Sequence, residues 1–225
     1  MNTSILIFIG LVALLYIVST LIHANLARLF SRAFSTGKFV VYLLWLLYLP
    51  GIVLHELAHL LLAFALLLQV RSINLLPTIM EDEEGKQSVK LGSVTYYKAD
   101  PIRGLLVGIA PFFLGTFALL LLFHFIKFPN TYFKYNIFFA YVSFIISSTM
   151  FSSKKDLHDL LYVVPSIALL AIIFFALRIN PFSYITLSIT LQKNGINFLN
   201  QINQMFTLSL LINIVIYAIV KVIKR

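Results

Sequence analysis

The sequence predicts an all-α polytopic membrane protein of about six transmembrane helices, with a small β-hairpin or sheet in the loop after the second helix. Two observations carry that expectation. The chain is 60% hydrophobic and only 11% charged over 225 residues, more apolar than a soluble domain, whose apolar share is about half. Its apolar residues also gather into six runs, residues 5–22, 39–70, 104–126, 135–151, 160–177 and 205–220, each with few or no charges, and a span takes about 17–25 such residues. The whole of 1–225 reads as a single integral, multi-pass domain in contact with a lipid bilayer.

The first run has no basic leader segment and passes Ser19 and Thr20 without a small-residue cleavage motif, so it reads as a retained span rather than a signal peptide. The second is about 48 Å long as one helix, well beyond a hydrocarbon core of about 30 Å, so it must tilt, kink or break, and Pro50-Gly51 is the place. After it comes the longest polar segment, residues 71–101. Its β-prone stretches, 72–76 and 88–97, flank the acidic turn EDEEGK containing Gly85, which reads as a hairpin at the membrane surface. The third run carries Gly104, Gly108 and Gly115, small residues that let it pack closely, expected against the second helix. A polar connection, residues 179–204, separates the fifth and sixth runs, and Ile196, Leu199 and Ile202 at helical spacing predict an interfacial amphipathic helix there.

The formal net charge is +9, but the basic residues are spread over nearly every loop and tail, not gathered into a stripe. That excludes nucleic acid as a partner and fits Lys and Arg flanking spans. With no cysteine in the chain, disulfides and thiolate metal sites are excluded as well.

Chemistry enters at HELAH, residues 55–59. On a helix the i, i+4 spacing brings His55 and His59 to one face, one turn apart, with Glu56 beside them. Two neutral imidazoles supply half of a tetrahedral Zn2+ shell, and a carboxylate next to a metal-acidified water can act as general acid and base in amide hydrolysis. A lone histidine in an apolar helix is ordinarily a satisfied core residue, but an ionisable glutamate within a span costs about 3 kcal/mol and marks a partnered site. Among few acidic residues, Asp156 is the leading third ligand and Asp159 the alternative, with Asp100, His124 and His158 behind them. Asp156 also has a structural reason to exist, because Ser153-Lys154-Lys155-Asp156 fits a capping box at a helix start.

HELAH on the second long apolar run, GSVTYYKADPIRGLLVGIAPFFLG at residues 92–115 and SSKKDL at residues 152–157 together resemble the site-2 protease family of intramembrane zinc metalloproteases, in its short bacterial branch. The resemblance covers about the middle half of the chain. It implies Zn2+ held by His55, His59 and Asp156, Glu56 as the catalytic acid and base, membrane-protein substrates cut in or near their transmembrane segments, and residence in a bacterial plasma membrane. APFFLGT places Gly115 and Thr116 where many members have the Asn of a GPxxN element, and KKDLHD replaces their LDG, so a substrate-orienting role is not carried over to this span.

Two readings of other classes compete. A catalytically inactive module that retains the zinc site would not need Glu56, and a cation transporter would be expected to show duplicated halves or a second intramembrane carboxylate pair, neither of which is evident. A zinc protease with a downstream glutamate ligand is disfavoured because no Glu follows Glu84.

A substrate helix must be opened before cleavage, since its carbonyls are already bonded. The hypothesis here is that the strand-like piece at residues 91–97 pairs with the opened segment by edge addition. Proline replacements at alternate positions there are expected to slow cleavage of a single-span substrate while zinc content stays constant; full activity in every such variant would rule the hypothesis out.

Overall fold

The computed structural model describes residues 2–34, 36–81, 87–97, 100–153, 156–176 and 189–224. Six helices are present among them: α1 (Asn2–Ala33), α2 (Gly37–Ala65), α3 (Pro101–Phe125), α4 (Phe133–Thr149), α5 (Leu160–Ala176) and α6 (Ile189–Ile223). Four short strands lie between α2 and α3, namely β1 (Val70–Asn74), β2 (Thr78–Glu81), β3 (Gln87–Lys90) and β4 (Ser93–Tyr96). Among the described residues, α1, α2, α3 and α6 are long and apolar enough to cross a membrane. Helices α4 and α5 have 17 residues each, or about 26 Å at 1.5 Å per residue.

Contacts along the helices fix their directions. Phe34 meets Phe39 and His23 meets Tyr48, so α1 and α2 are antiparallel. The Arg103 guanidinium reaches the Leu66 carbonyl and the His59 ring reaches Val107, so α2 and α3 are antiparallel. Phe123 packs on Phe139, and Gly115 sits against Met150, so α3 and α4 are antiparallel too. Helix α6, in contrast, runs parallel to α1: the Asn203 amide donates to the Ser4 carbonyl at 2.9 Å and the Lys224 ammonium to Asn25 Oδ1 at 3.0 Å.

Helices α1 to α4 thus alternate in direction, and α6 shares the direction of α1. Of the six spans expected, four among the described residues, α1, α2, α3 and α6, have the length and apolarity to cross.

The separate amphipathic helix expected before the last run is also corrected, for its described part belongs to α6; residues 179–188 lie outside the described residues. Ile202 is buried in a cluster with Leu11, Leu15, Met205 and Phe206, and Asn203 finds its acceptor on α1. Asn203 is thus taken up by helix packing, while Asn197, Asn200, Gln201 and Gln204 stay exposed on the same helix.

The strands form one long ribbon pinched in the middle. β1 pairs antiparallel with β4, Asn74 opposite Ser93, and β2 pairs antiparallel with β3, Thr78 opposite Lys90. The acidic turn at residues 82–86, with Gly85, lies outside the described residues. The ribbon folds back along α2: the Trp45 indole donates to the Leu75 carbonyl at 2.7 Å, and Gly92 is seated on Ile52 and Glu56. A side chain at 92 would hold the strands away, since its Cβ would stand 2.9 Å from both Ile52 Cγ2 and Glu56 Oε1.

Helix α2 continues unbroken through Pro50, so His55 sits well inside it. Next to the proline, Gly51 lets α4 approach; a Cβ there would overlap Thr149 and come within 2.7 Å of Ile145 Cγ2. Buried polar groups fasten the other face of α4. Ser19 donates to the Ser148 carbonyl, Ser148 to Asn213 Oδ1, and Asn213 to Ser147 Oγ, at 2.8–3.1 Å, so α1, α4 and α6 are joined by satisfied hydrogen bonds that apolar lipid cannot replace.

Gly51→Ala is expected to lower the thermal midpoint in a fixed detergent, because overpacking costs about 1–3 kcal/mol and outweighs a helix-propensity gain of about 1 kcal/mol. Gly10→Ala, where nothing lies within 4 Å of the new methyl, is expected to leave the midpoint unchanged or raised.

Candidate metal centre

Three elements meet at the HELAH turn of α2. His59 and Glu56 are buried, His55 is half-buried, and the two imidazoles stand edge to face with ring centroids 4.8 Å apart. His55 Nδ1 lies 2.7 Å from the Thr149 carbonyl at the end of α4, and His59 Nδ1 lies 2.9 Å from the Val107 carbonyl in α3. A carbonyl can only accept, so each ring carries its hydrogen on Nδ1 and, when neutral, presents a bare lone pair at Nε2. The two Nε2 atoms face one another at 3.2 Å. Lone pairs at that separation need a proton or a metal ion between or beside them.

Asp156 supplies the counter-charge. Its Oδ2 is 3.9 Å from His59 Nε2, and one ligand atom from each of His55, His59 and Asp156 lies within 4.8 Å of the others. In a tetrahedral shell with bonds of about 2.0–2.1 Å, ligand atoms stand about 3.3 Å apart. The histidine pair already has that spacing, and the carboxylate needs only a small side-chain movement. Nitrogen donors with their outer N–H groups held by carbonyls, plus one carboxylate, fit a zinc-class cation.

The capping-box reading of Asp156 holds at the same time, with one correction. Ser153 N–H donates to Asp156 Oδ2 at 2.8 Å and Asp156 N–H to Ser153 Oγ at 3.3 Å. The reciprocal bonds close a turn over 156–159 instead of opening a helix, since α5 begins only at Leu160; Lys154 and Lys155 lie outside the described residues. Two glycines of α3 seat this turn. Gly108 lies against the Asp156 backbone carbonyl and Gly104 against the Asp159 carboxylate, while Gly115 meets Met150. Their close partners are thus the end of α4 and the turn that bears Asp156, not α2 as expected, and the Ser152 hydroxyl adds a bond to the Gly108 carbonyl at 2.5 Å.

The other candidates fall elsewhere. Asp159, half-buried, is directed at Gly104 and stands 3.7 Å from Nδ1 of the exposed His158. Asp100 caps α3 through the Arg103 N–H and pairs with its guanidinium at 3.1 Å. His124 packs beside Phe125 at the exposed end of α3.

A cavity of about 490 Å3 opens over the trio, with Glu56, Gly92, Val94 and Phe151 in its wall. Strand β4 forms one side, and the Val94 backbone is a hydrogen-bond partner of the Glu56 carboxyl. Tyr96, farther along β4, has its phenol raised above the ordinary value by burial and then by the negative charge of Asp159 and Asp156, which keeps it a neutral donor beside the turn. His23 of α1 also lines this cavity, and its ring stands on Tyr48 at 4.6 Å. Sequence reasoning missed both carbonyl acceptors. The nearness of β4 is in keeping with the edge-addition hypothesis for residues 91–97, and its signal in the sequence is Gly92, a lone glycine in a β-prone stretch, which marks a close approach.

Comparison of the chain with family models, curated proteins and solved structures finds no match in any of the three.

Asp156→Asn is expected to weaken zinc binding by more than the about 10–100-fold that loss of an outer partner costs, and Asp159→Asn to leave it unchanged. Competition titration of the purified variants measures both; the reverse order would move the third ligand to Asp159.

Proposed function

We propose that this chain is a zinc-dependent intramembrane endopeptidase, similar in kind to the site-2 proteases, that hydrolyses peptide bonds in or near transmembrane segments of membrane-protein substrates in a bacterial plasma membrane. The observation that carries the reading is the convergence of two Nε2 lone pairs 3.2 Å apart with a carboxylate beside them and Glu56 in the same cavity wall. A site that only held a metal for structure would be closed and would have no use for Glu56.

When bound, the zinc ion would acidify water and polarise the scissile carbonyl. His55, His59 and Asp156 would hold it, with their orientation set by the carbonyls of Thr149 and Val107 and by the Ser153 N–H. Glu56 takes a proton from the attacking water as its oxygen adds to the carbonyl carbon, and returns it to the amide nitrogen as the C–N bond breaks. Its burial between α2 and β4 keeps bulk water from competing for that proton. Strand β4 lies beside the centre, where an opened substrate segment added to the edge that faces away from β1 would bring its backbone past Glu56.

The test is purified protein in proteoliposomes, with zinc measured and a panel of single-span substrates incubated with wild type and Glu56→Gln. Stoichiometric zinc in both proteins, with cleavage reduced by about 10²–10⁴-fold in the variant, is the expected result. Zinc without Glu56-dependent cleavage of any substrate would favour an inactive binding module, and absence of zinc would remove the metalloprotease reading.

A further inference from the structure

We infer that Pro111 is a positioning residue for the metal centre, acting through a hydrogen bond that it cannot make. In an α-helix the carbonyl of residue 107 is the acceptor for the N–H of residue 111. Residue 111 is proline, which has no N–H and whose ring crowds the carbonyl four residues earlier and turns it outward. Pro111 lies inside α3, and both it and Val107 are fully buried, so no solvent water replaces the missing donor. The group that does replace it is His59 Nδ1, at 2.9 Å.

The consequence reaches the opposite side of the imidazole ring. With the Val107 carbonyl open, the hydrogen of neutral His59 is held on Nδ1, and Nε2 is left as the lone pair that faces His55 Nε2 and Asp156. An ordinary residue at 111 would put an N–H in competition for the same oxygen and release the ring to its other tautomer, in which the metal-facing nitrogen is protonated.

His55 is served in the same way by different chemistry. The Thr149 carbonyl would be taken by the N–H of residue 153 if α4 continued, but that N–H is bonded to Asp156 Oδ2 at 2.8 Å. Two backbone acceptors are thus freed, one by a proline and one by a ligand carboxylate. The inference rests on the proposed metal centre for its purpose, though not for its geometry.

The test uses the full chain in detergent micelles, with 15N-labelled histidine and with His59 signals assigned through His59→Asn. Three proteins are compared: wild type, Pro111→Ala, and a chain with lactic acid at 111, which lacks both the ring and the N–H. In metal-free wild type at neutral pH, His59 is expected to be protonated on Nδ1. Pro111→Ala is expected to shift population to the Nε2-protonated form and to raise the zinc dissociation constant about 10–100-fold, as loss of an outer partner does, with no fall in the thermal midpoint. The lactate ester is expected to keep wild-type values for both.

Wild-type tautomer and affinity in Pro111→Ala would overturn the inference, and so would an ester as impaired as the alanine variant, because ring shape would then be the cause. An Nε2-protonated His59 in metal-free wild type would overturn it even if Pro111→Ala did not fold. If wild type bound no zinc but the tautomers behaved as stated, the proposed function would fail, and Pro111 would stand as the residue that sets the His59 tautomer without serving a metal centre.

Discussion

The candidate site depends on two backbone carbonyls that no helix uses. Thr149 and Val107 offer their oxygens to the outer nitrogens of His55 and His59, and everything else about the centre follows from which ring nitrogens are then free. Neither acceptor lies on α2. The helix that carries the HELAH turn therefore cannot define the site by itself; α3 and α4 must stand at the right height and distance. Gly51 brings α4 close, and antiparallel packing brings α3 alongside.

Asp156, the proposed third ligand, is placed by the same economy of space. The turn bearing Asp156 fits because α3 presents glycines at 104 and 108, so backbone and carboxylate atoms occupy the volume that side chains would take. The far side of α4 is tied by the Ser19, Ser148 and Asn213 bonds to α1 and α6. In a medium without hydrogen-bonding solvent, such satisfied polar contacts resist sliding, since any shift leaves a donor or acceptor unpaired. The residue that accepts from His55 is next in the chain to Ser148, so helices that contribute no candidate ligand still help to hold the position of one.

Much of this was legible in the sequence and some was not, for reasons that can be named. Apolar runs locate α1 to α5 because length in a bilayer is a strong constraint. HELAH gives its own geometry because i, i+4 spacing needs no tertiary information, and Asp156 stands out because so few acids compete with it. Helix direction is not local: α6 runs parallel to α1 through contacts such as Asn203 with Ser4 and Lys224 with Asn25, and no window of residues encodes that. The ribbon was recognised as β-structure, but its place along α2 depends on Trp45 meeting Leu75 and on the gap at Gly92, which are contacts between distant residues. The carbonyl acceptors were invisible for a further reason, that a backbone oxygen has no letter of its own.

That last point changes how substitutions in α3 should be read. A survey that truncates side chains one at a time would score Val107 as a packing residue, because its oxygen survives every replacement. The identity that governs this oxygen is written four positions later, at Pro111, where the informative change is the addition of a hydrogen atom, not the removal of a side chain. Mutational tolerance at 107 and intolerance at 111 would then report on one and the same group, and a map that assigns each effect to the mutated residue would attribute the histidine's support to the wrong atom.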